Sequence, residues 1–352
     1  MSSENYIILV SHDSNFAGAS HYLYVIFNIL KKKYPTIVFL ILVPNVTENL
    51  YNVLAKKYNI NSKYIICYNN DENILFKLYK KFNPLLFYLN SINKCFVNFQ
   101  DIIKEKHILN IIFHSHETEY DYRQFALNIP YIVVTKRICN TYYNLYNKTP
   151  LVQVPILNNI DNILKLSNEG IDEISNNFGV FDKTKVTIGM CGSLTSRKNP
   201  YLFFRLASFF PQYNFLWIGG HKKTRRTIYE NTYHIKNVLN PYKYFNKCFD
   251  YFLLTSTCDP CPYVILENIL LETQIITFDK NIHYNHTCEL LNNIYYHQPG
   301  EVCLNNCIKV LSKLKLIKKD KRTGNGYQYI SKFFMHPKTI FNIIDKKLLE
   351  TN

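Results

Sequence analysis

Glycine is scarce in this chain, at 10 of 352 residues, and methionine (3) and tryptophan (1) are scarcer still. A collagen-like chain is therefore excluded. No apolar run reaches the roughly 18 residues that spanning a bilayer requires, so no membrane-spanning helix is expected. The polar start Met1-Ser-Ser-Glu-Asn5 runs straight into a short apolar strand, without the basic region, longer apolar stretch and small-residue site of a signal peptide. The ten cysteines are scattered along a long chain instead of being packed into a small scaffold, and we read them as reduced thiols of an intracellular protein. Fixed-period repeats and low-complexity tracts are also missing.

What is present is an ordinary globular mixture, 47% hydrophobic and 19% charged, long enough for about two domains. Lys plus Arg number 41 against 26 for Asp plus Glu, a net charge of +15. Tyrosine (29) and phenylalanine (24) abound alongside Asn, Ile and Lys, the pattern an AT-rich genome writes. The lysine surplus is accordingly read as solvated surface, with no specific nucleic acid expected.

Short apolar runs alternate with amphipathic segments. Strands are expected at Tyr6–Val10, Ile37–Val43, Tyr64–Cys67, Leu85–Leu89, Asn110–Phe113, Tyr131–Val134, Val186–Met190, Asn214–Ile218, Tyr251–Leu254 and Ile275–Phe278. Leu23, Ile26, Phe27 and Leu30 mark one helix face. Asn199 and Pro200 provide a cap and first-turn proline for another helix, whose stripe is Leu202, Phe203, Leu206, Phe209 and Phe210. Such alternation predicts α/β architecture with two doubly wound parallel sheets. The polar stretch from Leu157 to Lys185 holds the junction. The expected domains are 1–165 and 166–326, with a C-terminal helical segment 327–352 able to pack back on the first.

Four stretches could carry chemistry. In Thr255-Ser-Thr-Cys-Asp-Pro-Cys-Pro-Tyr-Val-Ile-Leu-Glu267, a loop leads from a strand into a helix, and Asp259 and Glu267 have seven residues between them. Backbone N–H groups there suit a diphosphate or a sugar hydroxyl, and a carboxylate one turn on can accept ribose hydroxyls. The plainer reading is a capping Asp259 and a solvated Glu267. In Ile188-Gly-Met-Cys-Gly-Ser-Leu-Thr-Ser-Arg-Lys-Asn-Pro200, the cations Arg197 and Lys198 stand just before a helix, where they can neutralise charge on a phosphate leaving group. Near the N-terminus, Gly18-Ala19 enters a helix and lets backbone approach a ligand, though the three-glycine dinucleotide fingerprint is incomplete. In Phe113-His-Ser-His-Glu-Thr-Glu119, period two places His114 and His116 on one face. No further pair at ligand spacing accompanies them, so no metal is expected; one histidine packs in the sheet and the other is open to substrate.

In this order these stretches resemble the family-four nucleotide-sugar glycosyltransferases, whose GT-B fold has two Rossmann-like domains facing across a cleft. Asp259 through Glu267 is similar to the family's acidic-x7-Glu signature, with Ser256 as the serine that precedes it. Gly192-Ser-Leu-Thr-Ser-Arg-Lys resembles the family's Gly-Arg-Leu…Lys loop, with Ser193 where an arginine is usual and Arg197 as the substitute cation. Leu216-Trp-Ile-Gly-Gly, Ala17-Gly-Ala, Ile112-Phe-His-Ser-His-Glu117 and Tyr88-Leu-Asn-Ser91 match further family elements over roughly residues 6 to 280.

The resemblance implies a retaining, metal-independent hexosyltransferase-type enzyme that uses a nucleotide-diphosphate sugar and no cofactor. Its acceptor would be a glycan, a lipid-linked group or a protein, in the cytoplasm or at an anionic membrane surface. Glu267 would bind the ribose; Asp259 and the Pro260, Cys261, Pro262 and Tyr263 backbone would meet the donor sugar or phosphates. Lys198 and Arg197, beside Gly192 and Ser193, would hold the diphosphate. His116 would approach the transferred sugar, and Gly18 and Ala19 would flank the phosphates or acceptor.

Two other classes compete. A degenerate fold could serve as a scaffold for nucleic acid or membrane through the basic runs at Lys31–Lys33, His221–Arg226 and Lys318–Arg322. Cys258-Asp-Pro-Cys261, opening a helix after a strand, could be a thiol–disulfide motif, and Cys303-x3-Cys307 an incomplete zinc pattern.

Overall fold

The computed structural model describes residues 4–11, 19–45, 47–68, 71, 73–91, 110–116, 131–134, 138–140, 143–144, 147, 149–153, 156–157, 160–171, 174, 181–220, 229–257, 259, 262–278, 295–314, 316–318 and 325–351. The chain divides into two compact units, Met1–Ile156 with His336–Asn352, and Leu157–Met335.

Unit one is a seven-stranded sheet in the order β3-β2-β1-β4-β5-β6-β7. Its strands are β1 (Asn5–Ser11), β2 (Ile37–Val43), β3 (Ile65–Cys67), β4 (Leu86–Asn90), β5 (Ile111–Ser115), β6 (Tyr131–Val133) and β7 (Leu151–Val152), each parallel to its neighbours. Near-continuous burial along β1, β2, β4 and β5 explains why these segments read as unbroken apolar runs: both sheet faces are covered. Helices α1 (Ala19–Lys33), α2 (Glu48–Tyr58) and α3 (Ile74–Phe82) supply the crossovers among the first four strands. Strand order turns back at β1, so the carboxyl ends of β1 and β4 flank a topological switch point, where ligands of such sheets bind.

Unit two is a second parallel sheet, of six strands in the order β10-β9-β8-β11-β12-β13. Its strands are β8 (Thr187–Cys191), β9 (Asn214–Ile218), β10 (Thr232–Ile235), β11 (Tyr251–Leu253), β12 (Gln274–Phe278) and β13 (Tyr295–Gln298). Its helices are α4 (Ile160–Ser167), α5 (Pro200–Leu206), α6 (Tyr242–Lys247), α7 (Tyr263–Leu270), α8 (Leu304–Lys313) and α9 (Asn325–Phe333). The switch point here lies between β8 and β11.

The division falls at 156/157, earlier than the expected 165/166, because α4 belongs with α6. Asn240 and Asn246 donate their side-chain amides to the carbonyls of Leu166 and Ser167, each at 2.9 Å, satisfying the last turn of α4. The return to unit one likewise comes later than 327. Helix α9 stays with unit two, where the Gly326 N–H donates to Glu272 Oε1 at 3.1 Å. Only α10 (Lys338–Thr351) joins unit one. There Tyr34 donates its hydroxyl to Asp345 Oδ1 at 2.7 Å, and the Thr339 hydroxyl donates to the Val152 carbonyl at 2.6 Å. Among the described residues, no helix is long and apolar enough to cross a membrane.

Candidate functional site

In unit two, two loops at the switch point are stitched together. The chain leaves β8 through Gly192 and Ser193, makes a single 3-10 turn at Ser196–Lys198, and enters α5. Asn199 caps α5, its side chain accepting from the Leu202 N–H at 3.2 Å, and takes a left-handed conformation (φ 54°) so that the turn and the helix can abut. From β11 the second loop reaches across: the Thr255 hydroxyl donates to the Lys198 carbonyl at 2.8 Å and the Thr257 N–H to the Arg197 carbonyl at 2.8 Å. These two bonds hold the backbone that carries both cations.

Their side chains converge on one carboxylate oxygen. Asp259 Oδ2 is hydrogen-bonded by the Lys198 ammonium, lies 3.1 Å from the Arg197 guanidinium and accepts from the Ser256 hydroxyl at 3.2 Å. The Lys198 side chain is 11% exposed and that of Asp259 8%, whereas Arg197 is 52% exposed. Lys198 and Asp259 thus form a largely buried pair, in which loss of the Asp259 carboxylate takes from the Lys198 ammonium the anion it contacts, whereas loss of Lys198 leaves Asp259 the Arg197 guanidinium. Arg197 sits over it at the surface. Asp259 does not cap the following helix: the N-cap of α7 is Pro262, and no side chain caps it.

Glu267, in the second turn of α7, is half-buried and not simply solvated. Its Oε1 accepts from the Tyr242 hydroxyl at 3.2 Å. The Cys191 thiol at the end of β8 is pushed up to about 12 by burial first and then by the Glu267 carboxylate, with the Lys198 ammonium acting the other way. Both charged groups are therefore felt at the same strand end, beside Gly192. The Gly192 carbonyl accepts from Trp217 Nε1 at 3.0 Å. Gly219, where β9 exits, must be glycine: its φ is +113°, and a Cβ there would stand 2.5 Å from the Gly192 oxygen.

Of the residues singled out in the sequence, Gly192, Arg197, Lys198, Asp259 and Glu267 come together here, with Ser193 on the same loop and Pro262 and Tyr263 at the start of α7. Pro260 and Cys261 lie outside the described residues, as do Cys258 and the basic run at 221–226. Tyr242 and Cys191 were missed. Tyr242 follows a proline at a helix start and carries no local sign of a partner 25 residues away. Cys307 is buried in α8 and its thiol is pushed up to about 12, chiefly by burial. No group of three or more His, Cys, Asp or Glu able to hold a metal occurs among the described residues.

In unit one, His116 follows β5. Its Nε2 lies 2.9 Å from Asn90 Oδ1, and its ring packs against Tyr22 (4.9 Å between centroids) and His114 (4.3 Å). The two histidines share a face, as the alternation predicted. His114 is fully buried, hydrogen-bonded to the Tyr88 hydroxyl, and held well below the ordinary histidine range by burial and then by His116. Ala19 opens α1 and accepts from the Asn90 amide at 2.8 Å; Gly18 lies outside the described residues.

No family model matches the sequence, and no curated protein matches it. Solved structures do. The chain is similar to HepE of Anabaena in complex with UDP-glucose, at 14% identity and a TM-score of 0.65 over 98% of this chain and 99% of that one. It is similar to sucrose-phosphate synthase of Thermosynechococcus elongatus, at 10% identity and a TM-score of 0.66 over 99% and 100%. A UDP-N-acetylglucosamine 2-epimerase is also similar, at 11% identity and a TM-score of 0.57 over 100% and 97%. At such identities the likeness speaks for the fold, and the chain has the two-domain GT-B fold of Rossmann-like sheets that its motifs predict.

Proposed function

We propose that this protein moves a sugar, of hexose type, from a nucleotide-diphosphate sugar to a hydroxyl of a glycan, lipid-linked or protein acceptor, with retention at the anomeric carbon and no metal. The observation that carries the reading is the junction of β8 and β11, where Lys198 and Arg197 meet Asp259 beside Glu267. A diphosphate offers the two cations a stronger anion than one carboxylate, so the Lys198–Asp259 pair is a resting arrangement that the sugar donor replaces. Glu267, with one oxygen held by Tyr242, accepts the ribose hydroxyls through its carboxylate. His116 is proposed to meet a sugar hydroxyl.

In the reaction the bond between the anomeric carbon and the diphosphate oxygen breaks, and a bond to the acceptor oxygen forms on the same face. The acceptor proton passes to the departing diphosphate, whose growing charge Lys198 and Arg197 neutralise. Such a reaction belongs in the cytoplasm, or at an anionic membrane surface where the acceptor is lipid-linked. The complexes of HepE with UDP-glucose make uridine the first base to try. An epimerase shares the fold, so the assay must read products as well as binding.

The test is a panel of uridine, guanosine and adenosine diphosphate sugars. One of them should raise the unfolding temperature, since a ligand at 100 times its Kd adds about 2.7 kcal/mol, and should yield a glycoside of unchanged anomeric configuration. Glu267→Ala and Lys198→Ala should each cut turnover at least about tenfold, more than 1.4 kcal/mol. Wild-type rates in both variants would refute the site, and release of free epimerised sugar would refute transfer.

A further inference from the structure

We infer that His234 is a positioning residue: by holding the Gly219 carbonyl it fixes the glycine turn against which Gly192 and the stem of Lys198 are packed.

The inference begins where the chain leaves β9. Gly219 and Gly220 both have positive φ (113° and 88°), and the turn they make is tied to β10 and the residues after it. The Gly219 N–H donates to the Ile235 carbonyl at 2.8 Å, and the Gly220 N–H donates to Asn237 Oδ1. His234 adds a side-chain tie, its Nε2 standing 2.8 Å from the Gly219 carbonyl oxygen. A carbonyl can only accept, so Nε2 carries the proton of that bond. Burial holds the imidazole below the usual histidine range; the bond to Gly219 acts the other way, and the Lys236 ammonium adds to the fall. Charged or neutral, a ring bonded to a carbonyl donates from Nε2, so the tie survives titration.

The loop that carries the cations is packed on this turn. The Gly192 carbonyl oxygen lies so close to Gly219 that a Cβ there would stand 2.5 Å from it, and the Leu194 side chain would be 2.6 Å from a Cβ on Gly220. Gly192 is held by β9 as well, donating its N–H to the Ile218 carbonyl at 2.9 Å and accepting from Trp217 Nε1 at 3.0 Å. The aliphatic stem of Lys198 lies against Gly192, 3.4 Å from where a Cβ would be. Contacts therefore run unbroken from His234 through Gly219 and Gly192 to Lys198, a packed chain of the kind that carries coupling. A β10 side chain thus sets the ground on which the ammonium stands. That the ammonium meets a donor diphosphate rests on the proposed sugar transfer, whereas the tie does not.

The single tryptophan of the chain gives a reading without substrate, because its indole N–H is bonded to the Gly192 carbonyl. In His234→Leu, which fills similar space but cannot donate, that N–H should exchange with deuterium about fivefold faster, the effect of one lost hydrogen bond. His234→Gln, whose amide nitrogen has about the reach of Nε2, should restore the wild-type rate. Nitrogen-15 histidine spectra of the wild type, recorded above the imidazole titration and assigned with the glutamine variant, should show the His234 proton on Nε2. Calorimetry with uridine, guanosine and adenosine diphosphates supplies the coupling. For the nucleotide that binds, His234→Leu should weaken binding about fivefold in the wild-type chain and less than about twofold in the Lys198→Ala chain, since the effect passes through Lys198. Wild-type exchange in the leucine variant, fast exchange in the glutamine variant, a wild-type proton on Nδ1, or equal weakening in both chains overturns the inference. Should the leucine variant not fold, the wild-type spectrum and the glutamine variant decide the matter. Failure of all three nucleotides to bind a wild type with the expected exchange and spectrum would instead count against the proposed function alone.

Discussion

At the scale of single residues, the site is an arrangement of charges that restrain one another. Asp259 holds Lys198 by direct contact, and Tyr242 holds one oxygen of Glu267. Tyr242→Phe should raise donor KM about fivefold, on the order of 1 kcal/mol for a hydrogen bond to a charged group, and leave kcat unchanged. An unchanged KM would mean that the hydroxyl does not orient the carboxylate. The thiols give a second prediction. Burial pushes Cys191, Cys248 and Cys307 up to about 12, whereas an unfolded thiol ionises near 8.5. A folded pKa above the unfolded one means that the neutral thiols stabilise fully below about pH 8.5, and that this contribution is lost as pH climbs toward 12. The urea midpoint should therefore fall between about pH 9 and 12, and fall less in a Cys248→Ala, Cys307→Ala double variant. Parallel slopes in the two proteins would contradict this. Asp259, Glu267, Arg197 and Lys198 were legible because their chemistry sits in short local motifs. Tyr242 and Asn90 meet partners 25 and 26 residues away, a relation that strand order creates and local spacing does not display.

At the scale of elements, the strands with unbroken apolar runs were the legible ones, since burial on both faces leaves that mark. β7 has two residues, and β10 mixes buried Thr232 and Tyr233 with half-buried His234 and Ile235, so neither stands out as a run. The α5 stripe was read too long: the helix ends at Leu206, and Phe209 beyond it is 47% exposed. The N-cap at Asn199 was readable because asparagine before proline has a local meaning. The docking of α9 on the end of α7 was not, because it depends on an absent side chain. A Cβ on Gly326 would stand 2.1 Å from the Ile269 carbonyl oxygen. Gly326→Ala should accordingly lower stability by about 1–3 kcal/mol, as overpacking does, read from the urea midpoint. A variant as stable as the wild type would show that α9 can draw back without cost.

At the scale of the whole molecule, each unit has its own sheet and its own switch point, and the chain returns to the first unit through α10. The β-α alternation made both sheets foreseeable. The boundary at 156/157 was not, because α4 is assigned by its contacts with α6, far along the chain. The net charge of +15 is spread over the chain, and Lys198 and Arg197 are two of its 41 basic residues, distinguished by position and not by charge. The central claim is that the β8–β11 junction holds a nucleoside diphosphate. Titration calorimetry with uridine, guanosine and adenosine diphosphates tests it most directly. Binding of one of them to the wild type, weakened at least about tenfold in both Lys198→Ala and Glu267→Ala, is the predicted result; no binding of any of the three, or equal binding in all three proteins, would contradict it.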